Sequence, residues 1–473
     1  MSRHATLFAA TLALLACSPL TGRTVSDGGL DVAVADAGDA RDARVGTDVG
    51  DDRPVAPRDV ASAPSDAPRC PLGEGTVLDP RINVTLRDMG PGSAFASHAI
   101  SHVVTDDDDN LYLVGTCRGC ATTTSLEAAV WRLTADGRLD AQFGVGGIAL
   151  EGGSPSSIWY GATLDGERRL IAVGQRARGV PGLARFTPDG RPDASVNAAW
   201  LRALPLRALG GTELQLFGVA VDPAGVVAVG GNGSVSDRPS NAAVAVRVTT
   251  AGALDPNFAN GGALLRGDLH GCYDVVRDGD AWVLGCISSE DRPALLRINA
   301  RGGVEPWGSG AMLATHDAAP RGFQLRALQR DSAGRWIAVG AIARVYNDTA
   351  SPPAAVRFGA DGTPDLRYGV EGVATLLGAR QTFAYSFASS AWVGCEDRLL
   401  LGLALGAQTG VAVFDRDGRL MPSVGDEGVI FTNNPPAVVG ITISLVPTRA
   451  RDALTVLTAY GGPAFSMLHR MRL

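Results

Sequence analysis

Short apolar runs of about four to six residues, separated by polar turns, recur along this chain with a period of about 57 residues. Each unit reads in three parts. A segment that mixes apolar and polar positions comes first, as in Leu325-Arg-Ala-Leu-Gln-Arg330. A turn leads to an apolar strand ending in glycine, as in Trp336-Ile-Ala-Val-Gly340, and a hairpin around Asp-Gly follows. The strand-ending glycines are Gly115, Gly174, Gly230, Gly285, Gly340 and Gly402, with Thr458 in the seventh place. Glycine there permits close backbone approach, as expected near a crowded axis. The hairpin turns are Asp136-Gly137, Asp189-Gly190, Ala251-Gly252, Arg301-Gly302, Asp361-Gly362 and Asp417-Gly418. Runs and turns of this kind predict about four strands per unit, the content of one propeller blade. A single unit cannot bury its apolar face, so repetition at this period predicts an array.

Around each hairpin the polar positions are patterned too. Arg132, Arg185, Arg247, Arg297 and Arg357 precede the turn glycine, and Asp140, Asp193, Asp255, Glu305 and Asp365 follow it. Each Arg and its acid are placed to face each other across the hairpin as a structural ion pair. In the sixth copy both change together, to Val413 and Met421, as expected of a pair that acts as a unit. Repetition of the pair in unit after unit argues against catalytic carboxylates. Beyond the acid, Phe143, Phe258 and Tyr368 hold one register, with Val196, Val424 and Trp307 in the other copies, and read as plugs between neighbouring blades. The seventh unit stops at Arg470-Met-Arg-Leu473, and Thr76-Val-Leu-Asp-Pro-Arg-Ile82 resembles the missing hairpin half. Aligning Leu473 with Leu133 predicts that Arg472 and Asp79 form a closing pair. The expected fold is therefore all-β: a seven-bladed β-propeller closed by an N-terminal strand, which removes exposed sheet edges.

Composition adds an address. Residues 1–16 read as a lipoprotein signal peptide: Arg3 and His4 precede an apolar stretch too short to span a bilayer, which ends in Leu14-Leu15-Ala16-Cys17. This resembles the lipobox of bacterial lipoproteins, which implies acylation of Cys17 and partition to the membrane through the lipid anchor. Residues 17–69 read as a disordered tether, rich in Asp and Ala and without an aromatic residue. Residues 70–473 form the propeller. The net charge of −7 excludes a nucleic-acid partner that requires a basic surface, and every basic residue is Arg.

Cysteine use fits an oxidising compartment. Cys272 and Cys286 flank a turn at Gly279 symmetrically and predict a cross-strand disulfide. Cys117-Arg-Gly-Cys120 has redox-motif spacing but follows a strand rather than opening a helix, so a small structural disulfide is expected. Cys70 pairs with Cys395 by elimination. The six His are scattered without metal-ligand spacing, and no nucleophile elbow or phosphate-cradling loop occurs. No metal, cofactor or catalytic residue is expected.

The tail motif, seen in TADGRLDAQFGVGG (Thr134 to Gly147), TTAGALDPNFANGG (Thr249 to Gly262) and GADGTPDLRYGVEG (Gly359 to Gly372), resembles the delta-60 repeat of bacterial envelope proteins. The resemblance covers Thr76 to Leu473 and implies a propeller-like fold; it implies no activity. Three functions stay open: a monomeric, lipid-anchored binding module for a protein or glycan, a propeller enzyme of lyase or dehydrogenase type with its site in the axial funnel, and a passive envelope scaffold. Longer loops, Asn232 to Asn241 and Tyr346 to Pro353, favour binding at one rim.

Overall fold

Among the described residues the apolar runs form strands, which follow one another as antiparallel meanders. The computed structural model describes residues 78–86, 97–120, 126–151, 156–177, 180–196, 214–232, 243–342, 352–376, 386–405, 408–432, 439–449, 453–461 and 466–472. The signal peptide, the tether, Cys17 and Cys70 lie outside them, as does most of each longer loop. In chain order the strands are β1 (Leu78–Leu86); β2 (Ser97–Thr105), β3 (Leu111–Arg118), β4 (Leu126–Leu133) and β5 (Ile148–Leu150); β6 (Ile158–Leu164), β7 (Leu170–Ala177) and β8 (Val180–Phe186). Next come β9 (Leu214–Asp222), β10 (Gly225–Asn232), β11 (Ala243–Thr249) and β12 (Ala263–Arg266); β13 (Leu269–Asp278), β14 (Ala281–Ser288), β15 (Pro293–Ile298) and β16 (Leu313–Thr315). The rest are β17 (Phe323–Arg330), β18 (Trp336–Ile342), β19 (Pro353–Phe358) and β20 (Val373–Thr375); β21 (Ser386–Val393), β22 (Leu399–Leu405), β23 (Gln408–Phe414) and β24 (Val429–Phe431); β25 (Val439–Pro447), β26 (Ala453–Gly461) and β27 (Ser466–Arg472).

Four-stranded sheets hold β2 to β5, β17 to β20 and β21 to β24, each in chain order, and β6 to β8 form a three-stranded sheet. The β9–β12 and β13–β16 meanders are joined into one eight-stranded sheet by a single pair, Gly231 with Gly271. A fourth four-stranded sheet runs β1-β27-β26-β25, so the first strand lies beside the last. First strands pack on one another in sequence: β2 on β6, β6 on β9, β9 on β13, β13 on β17, β17 on β21 and β21 on β25. The result is an all-β, propeller-like arrangement.

Packing sheet against sheet explains the apolar runs. The middle strand of a meander is covered on both faces, so its central run is apolar rather than alternating. All eight residues of β14 and all seven of β18 are buried. The core is accordingly a series of clusters between sheets. In one of them Val283 and Leu295 meet Phe323, Leu325, Trp336 and Val356 of the next meander.

One local device recurs in every first strand. The register between first and second strand skips one residue, at Ser101, Tyr160, Phe217, Tyr273, Arg326, Ser389 and Ile443. These are β-bulges, which bend the strand and leave the extra residue out of the ladder. The strand glycines sit against them. A Cβ on Gly115, Gly230 or Gly340 would lie 2.0 Å from the carbonyl oxygen of Ala99, Gln215 or Gln324. The close approach inferred from these glycines is thus to the bulged neighbour strand within the same meander.

The register of β1 against β27 departs from the sequence alignment by two residues. Asp79 pairs with Arg470 and Leu78 with Met471, whereas Arg472 stands opposite Ala453. Leu454 opposite Met471 matches Leu111 opposite Leu133, so Arg470 and not Arg472 is the counterpart of Arg132. The alignment failed because Arg-Met-Arg offers two Arg in the same alternation.

Candidate functional site

The repeated Arg residues are more than partners of one acid. Within the five hairpins the Arg and acid meet: Arg132 to Asp140 at 3.4 Å, Arg185 to Asp193 at 2.8 Å, Arg247 to Asp255 at 3.5 Å, Arg297 to Glu305 at 3.2 Å and Arg357 to Asp365 at 2.7 Å. Three of these Arg also reach an acid in the turn between first and second strands. Arg132 reaches Asp106 at 3.6 Å, Arg247 reaches Asp222 at 2.6 Å and Arg297 reaches Asp278 at 3.1 Å. The guanidinium then donates across to the hairpin turn of the next meander. Arg185 Nη1 donates to Thr250 O at 2.6 Å, Arg247 Nη1 to Ala300 O at 2.7 Å, and Arg357 Nη1 to Arg416 O. Arg470 Nη2 makes the corresponding bond to Ala135 O at 3.1 Å. A guanidinium has five donors in a fixed fork, which suits it to tie two acids and a carbonyl together; Lys could not.

The plugs complete the same joint. Phe143, Phe258, Tyr368 and Trp307 are buried, each beneath the turn glycine of the following meander. At Gly302, φ is +76°, and an added Cβ would lie 2.9 Å from Ala259 Cβ and 3.0 Å from the Phe258 ring. Glycine is required there both for its positive φ and for the space. Arg357 lies over the Tyr368 ring at 4.4 Å, a cation–π contact within the joint. In the sixth copy Met421 N still donates to Val413 O, so the hairpin backbone persists where the ion pair is apolar.

Electrostatics fit a structural role. Burial raises the Asp365 carboxyl, but the Arg357 hydrogen bond and the Arg367 amide more than reverse it, leaving the pKa below the ordinary value. The Asp106–Asp109 run is likewise tied up. Asp106 accepts from Asp108 N, Asn110 N and Arg168 Nη2, and Asp109 accepts from Arg449 N at 2.7 Å. Among the described residues no group of three His, Cys, Asp or Glu is arranged to hold a metal ion.

The disulfides are structural as well. Cys272 and Cys286 face each other across β13 and β14 and are bonded, with Cα atoms 3.9 Å apart. Cys117 and Cys120 are bonded at the end of β3. Cys395 is disulfide-bonded, and Cys70, assigned to it by elimination, lies outside the described residues.

Sequence reasoning missed the surface that the bulges create. The first strand is the inner edge of each sheet, and an extra residue there projects beyond the ladder. Tyr160, Phe217 and Tyr273 come from three consecutive first strands and form a row. Tyr160 and Phe217 have ring centroids 5.4 Å apart at 40°, and Phe217 and Tyr273 are stacked at 5.0 Å and 26°. Ser101 precedes this row at the equivalent position, and Arg326 follows it. Arg326 is solvent-exposed although it lies on an innermost strand. Burial pushes the Tyr160 hydroxyl up to about 12, so it keeps its proton.

A belt of small and polar residues lies directly behind. Gly161 and Gly218 follow their bulges, and a Cβ on either would strike the neighbouring first strand, at Phe217 O (2.2 Å) or Asp274 Cα (2.8 Å). Asp274 and Ser390 occupy the same place and accept the amides of Leu328 (2.8 Å) and Leu445 (3.1 Å) on the next first strand. Burial raises Asp274 to about 6. Each side chain thus ties its strand to an amide two residues beyond the neighbouring bulge.

No family model matches the chain, and no curated protein matches it. Solved structures of similar arrangement include virginiamycin B lyase from Staphylococcus aureus, at 9% identity and TM-score 0.42, covering 79% of this chain and 98% of that one. A putative 6-phosphogluconolactonase from Bacteroides fragilis is 13% identical at TM-score 0.43, over 78% and 92% of the two chains. Drosophila Plexin A, solved in complex with Semaphorin 1b, is 8% identical at TM-score 0.43, over 84% and 88%. These proteins differ from one another in function, and none lends this chain an activity.

Proposed function

We propose that this chain is a lipid-anchored β-propeller of the bacterial cell envelope, built from delta-60-type repeats, that acts as a binding module for a protein or glycan. The observation that carries the binding reading is a contrast between two sets of positions. The repeated Arg, plug and turn-glycine residues join one meander to the next, and the acids hold the Arg in place. The bulge positions differ from meander to meander: Ser101, Tyr160, Phe217, Tyr273 and Arg326 share a place but not a chemistry. In a repeat protein the scaffold is what repeats, and recognition resides where the repeat is broken.

The module is proposed to be seven blades in one closed ring, with β1 completing the last. Three contacts support this reading. β25 packs back on β2, Arg449 donates to Asp109 and to Asp107 O from the last meander to the first, and Arg470 reaches Ala135 O. The outer strands β5, β12, β16, β20 and β24 are only three or four residues long, too short to template a second copy, which favours a monomer.

Two measurements test the proposal on the full chain. A glycan array and envelope-extract binding should show saturable retention; retention no different from that of bovine serum albumin removes the binding reading. Cys17→Ala should shift the protein from the detergent-soluble membrane fraction to the aqueous fraction. Unchanged fractionation would remove the lipid anchor.

A further inference from the structure

We infer that the row of Tyr160, Phe217 and Tyr273, ending at Arg326, is an anion-recognising wall that binds the carboxylate of an acidic sugar, such as a uronic acid unit of an envelope glycan. The inference deepens the glycan arm of the binding reading and rests on it.

The argument starts from ring geometry. Phe217 is tilted against Tyr160 and stacked on Tyr273, so these rings largely cover one another's faces. Aromatic faces are electron-rich and edges electron-poor, so rings that cover one another's faces offer a ligand their weakly positive edges. All three aromatic residues are half-buried, with part of each ring exposed. At the end of the row stands Arg326, one bulge further round, exposed and in no ion pair among the described residues. Among the seven bulge residues Arg326 alone carries a charge, and the Asp274 carboxylate behind the row is held by the Leu328 and Val275 amides.

The chemistry of the ligand follows. A guanidinium fork matches a carboxylate with two parallel hydrogen bonds, stronger than neutral ones. Beside it, the aromatic row offers an apolar surface, suited to a pyranose body rather than to a bare inorganic ion. The wall is also rigid. Each bulge is seated on a strand glycine or its equivalent, and the belt of Gly161, Gly218 and Asp274 fixes the spacing of neighbouring strands. Little ordering is required on binding, which favours affinity. Arg326 is placed there by a bulge and not by the repeated joint, so its removal leaves the Arg–acid hubs intact.

The test is titration calorimetry of the full chain with glucuronate, glucose and benzoate, repeated on Arg326→Ala and Arg326→Lys. Glucuronate should bind with glucose at least tenfold weaker, Arg326→Ala should lose about tenfold or more, and Arg326→Lys should recover part of it. The melting temperature of each variant should equal that of the parent, which separates lost recognition from lost folding. Glucose binding as tightly as glucuronate, or unchanged glucuronate affinity in Arg326→Ala, overturns the inference while leaving a neutral-glycan module standing. Benzoate bound in place of glucuronate overturns the sugar assignment. No binding of glucuronate together with an empty glycan array overturns the inference and the glycan reading together.

Discussion

At the scale of the residue, the unit of design is the Arg hub. An isolated exposed ion pair contributes little, and counting such pairs says little about stability. The Arg357 side chain is only 4% exposed, and it holds Asp365, the Tyr368 ring and the next hairpin at once. The charge left by removing Arg357 is Asp365, which is 23% exposed, so the cost falls below the ~3–5 kcal/mol typical of a fully buried pair. The single substitution Arg357→Val is therefore expected to lower stability in denaturant by about 1–3 kcal/mol. The double variant Arg357→Val with Asp365→Met copies Val413 and Met421, which the sixth copy accommodates in this register. It should be markedly more stable than the single variant. A double variant no better than the single in the same urea titration would mean that the sixth copy relies on some other compensation.

At the scale of the element, the pattern of apolar runs and Asp-Gly turns was enough to place the strands and the hairpins, because both are decided locally. The bulges were not legible, since an extra residue in a strand leaves the apolar pattern nearly unchanged and shows itself only in pairing. The strand glycines were the available signal: they were read as approach to an axis, when what approaches is the carbonyl of a bulged strand. The turn acids Asp106, Asp222 and Asp278 were missed for a similar reason. Asp is common in turns, and only the spatial meeting with Arg132, Arg247 and Arg297 distinguishes them. Strand β27 shows how burial enters stability. His469 is buried, and burial lowers its pKa from 6.5 to about 4, as it does for His102 on β2. The folded state thus favours the neutral imidazoles, and their contribution is complete above 6.5 and lost as pH falls toward 4. Asp274 acts in the opposite sense: its pKa is raised to about 6, so its contribution is largest below 3.8 and is lost as pH rises through 6. Replacing His469 by Leu should flatten the fall in melting temperature between pH 6.5 and 4. An unchanged slope in calorimetry would exclude His469 as a source of acid lability.

At the scale of the whole molecule, a repeat array must deal with its two ends, because every internal meander is covered by neighbours and the terminal ones are not. The pairing of β1 with β27 adds the first strand to the last sheet. The inter-unit joint then gives a way to test the ring by chemistry. If the first and last meanders are joined like the others, the Arg at the hub position should matter and its near neighbour should not. Arg470 holds that position and donates to Ala135 O of the first meander, whereas Arg472 pairs with Ala453 at the far end of its strand. Arg470→Ala should therefore lower the melting temperature clearly, and Asp79→Ala, opposite it in register, should do the same. Arg472→Ala should leave the melting temperature close to that of the parent. Loss of closure should also expose the edge of β27 to protease, so limited proteolysis of Arg470→Ala should release the N-terminal strand early. Were Arg472→Ala the damaging change and Arg470→Ala silent, the register at the junction would be the two-residue alternative, and the equivalence of the last joint with the other joints would fall with it.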